Sequence, residues 1–122
     1  MARILIVDDS PSQLVGLKRN VEKLGHQAIT AEDGAAGVEA AKREVPDLIL
    51  MDVVMPNLNG FQATRTIAKD SKTSHIPIIM VTTKDQETDR VWGMRQGAKA
   101  YVTKPINDSE LKDAIEKLLA KH

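Results

Sequence analysis

The apolar residues of this chain gather in short runs of strand length, at Ile4 to Val7, Leu48 to Met51 and Ile78 to Val81. The stretches between them repeat apolar residues at helical spacing. Two weaker runs, Gln27 to Ala31 and Ala100 to Thr103, complete an alternation of strand and helix repeated five times. Strands apolar on both faces must be covered on both faces, and an intervening helix returns the chain for a parallel neighbour. The pattern therefore predicts an α/β fold with a five-stranded, doubly wound parallel sheet.

The helices carry their own punctuation. Ser10-Pro11-Ser12-Gln13 reads as a capping box with proline at the first helical position, and Leu14, Leu17, Val21 and Leu24 follow until Gly25. A second helix spans about Gly34 to Glu44 and ends before Pro46. The third starts near Gly60 and turns Phe61, Thr64, Ile67 and Ala68 inward. The fourth is expected from Lys84 to Gln96, closed by Gly97, with Val91 and Met94 towards the sheet and Trp92 on the flank. The fifth has Asn107 and Glu110 as a cap pair and an inner face of Leu111, Ala114, Ile115 and Leu118.

A length of 122 residues suits one domain, so residues 1–122 are read as a single unit without an output domain. The chain has no cysteine, which excludes disulfides, thiol catalysis and cysteine zinc sites and fits a reducing compartment, the cytoplasm. Seventeen basic residues balance seventeen acidic ones without long blocks of either sign. That balance argues against nucleic acid or a membrane as partner and leaves proteins. The opening MARILIV is neither a signal peptide nor a membrane span.

In a doubly wound sheet the ligand crevice lies beyond the carboxyl ends of the strands, where the strand order reverses. Asp8 and Asp9 follow the first run, and Asp52 follows the third within MDVVMP. If the order is 2-1-3-4-5, these strands are neighbours and the three carboxylates converge. Two like charges ~4 Å apart cost about 4 kcal/mol at an effective dielectric of about 20, so three require a cation. Magnesium suits a few carboxylates while keeping positions for phosphate oxygens. Taken alone, paired acids after a strand can equally begin a solvated loop or cap a helix.

The remaining strand ends add Thr82, a hydroxyl, and Lys104-Pro105, a fixed positive charge. Singly, the first reads as an ordinary strand residue and the second as a surface lysine. Together with a magnesium ion they form the surroundings that a phosphoryl group needs during transfer. Tyr101, by its residue type alone, reads as a half-buried strand aromatic with its hydroxyl in water. His26, His75 and His122 are too scattered for a metal set and read as surface residues, whereas Met51 and Met80 read as core.

VDDS, MDVVMPNLNG, VTT and KP, in this order and at these strand ends, resemble the receiver domains of two-component response regulators over the whole chain. The resemblance implies the flavodoxin- and CheY-like fold, Asp52 as phosphoacceptor, and Asp8, Asp9, Asp52 and the backbone carbonyl of Val54 around Mg2+. It further implies that Lys104 contacts the phosphoryl group, that Thr82 and Tyr101 act as the switch pair, and that the Lys104–Pro105 bond is cis. A histidine kinase would be the phosphodonor, and a downstream or competing signalling protein the partner of a monomeric, non-enzymatic regulator.

More narrowly, TTKDQETDRVWGMRQGAKAYVTKP with VDDSPSQ is similar to PilH-type stand-alone receivers of twitching motility. Output through the fourth helix, fifth strand and fifth helix is one reading; a phosphate sink for a kinase shared with another receiver is the other. An aspartyl-phosphate phosphohydrolase is disfavoured, since many such enzymes place a second acid two residues after the nucleophile, where this chain has Val54. A flavin or nucleotide carrier lacks its glycine-rich loop after the first strand, and a pseudo-receiver conflicts with the complete set of acids, threonine and lysine.

Overall fold

The computed structural model describes residues 1–120. Five strands and five helices alternate: β1 (Arg3–Val7), α1 (Pro11–Lys23), β2 (Gln27–Ala31), α2 (Gly34–Glu44), β3 (Leu48–Met51), α3 (Gly60–Lys69), β4 (Ile78–Thr82), α4 (Glu87–Gln96), β5 (Ala100–Thr103) and α5 (Asp108–Leu119). All neighbouring strands are parallel, in the order β2-β1-β3-β4-β5. Among the described residues, no helix is long and apolar enough to cross a membrane.

Alternation along each strand divides the core in two. Ile4, Ile6, Leu48, Leu50, Ile79, Val81 and Val102 face α1 and α5, packing on Leu14, Leu17, Val21, Leu111 and Ile115. Leu5, Val7, Ile49, Met51, Ile78, Met80 and Tyr101 face the other way, towards Val38, Ala41, Ala63 and Ile67. Met51 and Met80 are fully buried, as their positions in apolar runs imply. Each such large side chain contributes about 1.5–3 kcal/mol on burial, and this two-sided core holds the strand ends in register.

Three sequence expectations change locally. Ser10 does accept from the Gln13 N–H at 3.4 Å, but its own N–H donates to Asp8 Oδ1 at 2.9 Å instead of to Gln13. A carboxylate two residues upstream is a stronger acceptor than a neutral side-chain amide, so only half the box forms. The fourth helix begins at Glu87 rather than Lys84, because the Lys84 N–H turns back to Thr82 Oγ1 and Asp89 accepts from the Gln86 N–H, setting the start there. His26 is half-buried rather than on the surface: its Nδ1 accepts the Ala2 N–H at 2.9 Å. His75 is exposed as expected, and His122 lies outside the described residues.

Val91 and Met94 do not face the sheet; they are 45% and 44% exposed, beside Trp92 at 49%. The inward positions of α4 are Gly93 and Gln96. The buried ring of Tyr101 occupies the space beneath the helix, so a glycine, not an aliphatic side chain, fits there. A Cβ on Gly93 would stand 3.2 Å from ring carbons of Tyr101.

The β3–α3 loop depends on a second close approach. A Cβ on Gly60 would fall 1.9 Å from the Asp52 carbonyl oxygen, whereas one on Gly16, within α1, would meet nothing within 4 Å. Gly60→Ala is expected to lower stability by about 2–3 kcal/mol, and Gly16→Ala to raise it by about 0.5–1 kcal/mol. Urea midpoints test both; equal midpoints for wild type and Gly60→Ala would contradict the packing of this loop on Asp52.

Candidate functional site

The register brings the site together before any side chain acts. Val7 pairs with both Ala31 and Met51, so β1 and β3 end level and Asp8 and Asp52 emerge side by side. The Asp8 N–H bonds the Ala31 carbonyl at 3.2 Å, and the Asp52 N–H bonds the Val7 carbonyl at 2.9 Å. Thr82 and Thr103 are likewise paired, and the Lys104 N–H bonds the Thr82 carbonyl at 2.8 Å, which carries the lysine to the same rim. The Lys104–Pro105 bond is cis, as the sequence resemblance implies.

Asp8, Asp9 and Asp52 each place a carboxylate oxygen within 4.8 Å of the others. Asp8 and Asp52 are buried, while Asp9 is exposed. Lys104 is no surface lysine: its side chain is 9% exposed, with Nζ 2.7 Å from Asp8 Oδ2 and 3.8 Å from Asp52 Oδ2. One ammonium therefore serves two buried acids with a third beside them. The excess of negative charge and the all-oxygen donor set suit a hard divalent cation.

Burial pushes the Asp52 carboxyl above its ordinary value. The Lys104 ammonium pulls it back, Asp8 pushes it further up, and the Thr82 hydroxyl and the Val53 N–H, 2.8 Å from Oδ1, favour the charged form. Thr82 is fully buried, and its Oγ1 also accepts the Lys84 N–H at 3.3 Å. In the loop after Asp52 the Val53 carbonyl is engaged by the Gly60 N–H at 2.9 Å, and the half-exposed Val54 comes next in the chain.

Tyr101 stands behind this centre. It is buried, not half-exposed, and its hydroxyl donates to the Lys84 carbonyl at 2.7 Å rather than to water. The β4–α4 loop thus joins Thr82 to Tyr101 through one residue. Arg90, not among the sequence candidates, packs its guanidinium over the ring. Neither residue type nor spacing marks it, since only the fold brings α4 alongside β5. Gly60 was visible as a helix start but not as the residue against which the Asp52 backbone packs.

The family model for the response regulator receiver domain matches residues 4–116. This chain belongs to the response regulator receiver family. The protein PilH of Pseudomonas aeruginosa is 59% identical over 120 residues, covering 98% of this chain and 99% of PilH. The receiver domain of the sensor histidine kinase PA1611 of the same organism, solved with a magnesium ion coordinated in its active site cleft, superposes with a TM-score of 0.91. It shows 30% identity, with 98% of each chain covered. The chemotaxis protein CheY4 of Vibrio cholerae gives a TM-score of 0.90 at 30% identity, over 97% of this chain and 98% of its own.

The raised Asp52 carboxyl has a signed consequence for this receiver without metal. An acid whose folded pKa lies above its unfolded one stabilises least when fully ionised: its cost is absent below the unfolded carboxylate range and grows as pH rises through the folded pKa. Asp52→Asn, which leaves Lys104 paired with Asp8, should be more stable than wild type by roughly 1 kcal/mol near neutral pH. The gap should shrink as pH falls towards 4. Thermal midpoints in chelator across that range test the sign, and a gap that widens on acidification would contradict it.

Proposed function

We propose that this chain is a stand-alone response regulator receiver that takes a phosphoryl group from a histidine kinase onto Asp52 and regulates a partner protein through α4, β5 and α5. The observation that carries this reading is the convergence on Asp52 of two further acids, a buried lysine and a buried threonine from four strand ends. The similarity to PilH over nearly all of both chains supports the single-domain reading. It also supports a role in chemotaxis-like or type IV pilus signalling, and the cysteine-free sequence fits the cytoplasm.

In the transfer an Asp52 carboxylate oxygen forms a bond to phosphorus while the bond from phosphorus to the imidazole nitrogen of the donor breaks. The bonding pair stays on that nitrogen, which later takes a proton from water. Asp8, Asp9, Asp52 and the Val54 carbonyl would hold Mg2+, which when bound offsets charge on the phosphoryl oxygens. Lys104 orients those oxygens with a fixed ammonium and loses no hydration at that moment, being already buried beside Asp52.

The acyl phosphate replaces one negative charge by nearly two, by analogy with other phosphorylated side chains. Thr82 and Lys104 are the groups positioned to respond. Thr82 shares a backbone loop with Lys84, whose carbonyl binds the Tyr101 hydroxyl, so a shift of Thr82 is transmitted to β5 and α4. The exposed Val91, Trp92 and Met94 then offer an apolar face to a protein partner, and tryptophan is enriched among binding anchors.

The purified protein, incubated with magnesium and a small-molecule phosphodonor, should gain the mass of one phosphoryl group, mapped to Asp52. Asp52→Asn should gain none, because an amide supplies no attacking carboxylate oxygen. Lys104→Ala should still be partly modified but show no change in hydrogen exchange along residues 84–103. Modification at Ser10 or Thr82, or full modification of Asp52→Asn, would overturn the assignment.

A further inference from the structure

Tyr101 is the only tyrosine of the chain, and it is buried although β5 lies at the edge of the sheet. Packing against Gly93 and the hydrogen bond to Lys84 account for two sides of it. A third contact comes from the outer side of α4. The Arg90 guanidinium lies 5.1 Å from the ring centroid, and its Nη1 donates to the Tyr101 carbonyl at 3.1 Å. One residue thus grips both the ring and the backbone of another, eleven positions on.

This grip is not a by-product of core packing. Arg90 is an exposed residue of α4, free to extend into water, and folding back over the ring restricts a side chain with much rotamer freedom. The offsetting gains are cation–π attraction and a charge-assisted hydrogen bond to an edge-strand carbonyl. Lysine could supply the charge but not a planar group that stacks and donates at once. Arg90 and Gly93 sit three apart on one face of α4, so the helix presents a clamp and a seat together.

We propose that Arg90 is a positioning residue that clamps Tyr101 in its buried place and so biases this receiver towards the ring-in conformer before a phosphoryl group is attached. The regulatory meaning rests on the proposed function, in which Tyr101 answers events at Asp52; the clamp itself does not. Because coupling is reciprocal, a conformer favoured by Arg90 is also the one whose partners and modifications are favoured. An acidic side chain of a partner that drew the guanidinium away would loosen the ring, giving the α4 surface a direct route back to Tyr101.

Nitration of Tyr101 by tetranitromethane in mildly alkaline buffer, followed by peptide mass, reads ring access in the folded protein. Arg90→Ala should react about tenfold faster than wild type, with Arg90→Lys in between. The opposite mechanism has the opposite sign. Burial, then Asp89, push the Tyr101 phenol up to about 12, while Arg90 lowers it. If the ring stayed in place without Arg90, loss of that charge would disfavour the reactive phenolate and slow nitration. A rate for Arg90→Ala equal to or below wild type therefore overturns the clamp.

In the proposed function a phosphoryl group on Asp52 draws Thr82 towards it, and the space left would hold the Tyr101 ring. A second arm therefore adds magnesium and the phosphodonor: phosphorylated Arg90→Ala should recover slow nitration. Faster nitration that persists in fully phosphorylated Arg90→Ala would overturn the bias on the ring-in conformer. Failure of wild type to be phosphorylated at all would refute the proposed function, while the comparison of unmodified proteins would still decide the clamp.

Discussion

The Lys104 ammonium is the charge on which the carboxyl end of the sheet depends. It lies 2.7 Å from Asp8 and 3.8 Å from Asp52, two acids that the strand register places together and the core buries. Removing one partner from such a buried group typically costs about 3–5 kcal/mol, because the remaining charges lose their compensation. The lysine comes from the far edge strand, so the pair also ties β5 to β1 across the sheet. Yet one ammonium cannot balance two buried carboxylates and the exposed Asp9. The residual charge makes the site receptive to a cation, while burial above all leaves Asp52 with a raised affinity for protons.

That electrostatic tension is maintained by close backbone packing. The Asp52 carbonyl lies so near Gly60 that no side chain fits between them, and the Asp52 side chain is held by the Val53 N–H. On the other flank the Thr82 hydroxyl and the Tyr101 hydroxyl engage opposite ends of the same residue, Lys84. The acid centre and the α4–β5 surface are thus joined by one short loop, and α4 itself buries little beyond Gly93 and Gln96. A helix with so small a buried face is the inexpensive one to shift.

Strand positions and the acid, threonine and lysine set were legible in the sequence because each follows from a local pattern: a short apolar run, a cap, or a polar residue just past a strand. The strand order, by contrast, came with the family resemblance. What the sequence hid depends on distant contacts. Val91 and Met94 have helical spacing suited to a core face, but the ring of Tyr101, brought by β5, fills that space and turns them outward. His26 pairs with Ala2 only because β2 returns beside β1. Arg90 has no motif at all, and its role exists only where α4 crosses Tyr101. Ser10 kept its cap while its N–H went to Asp8, a competition between two acceptors that spacing alone does not decide.

The three carboxylates, whose charge Lys104 only partly balances, could hold a cation. The most direct measurement is the magnesium dependence of the thermal midpoint in wild type and in Asp9→Asn, at constant ionic strength. Millimolar magnesium is expected to raise the midpoint of wild type, and Asp9→Asn to need at least about tenfold more for the same rise. Equal magnesium responses in the two proteins, or none in wild type, would contradict it.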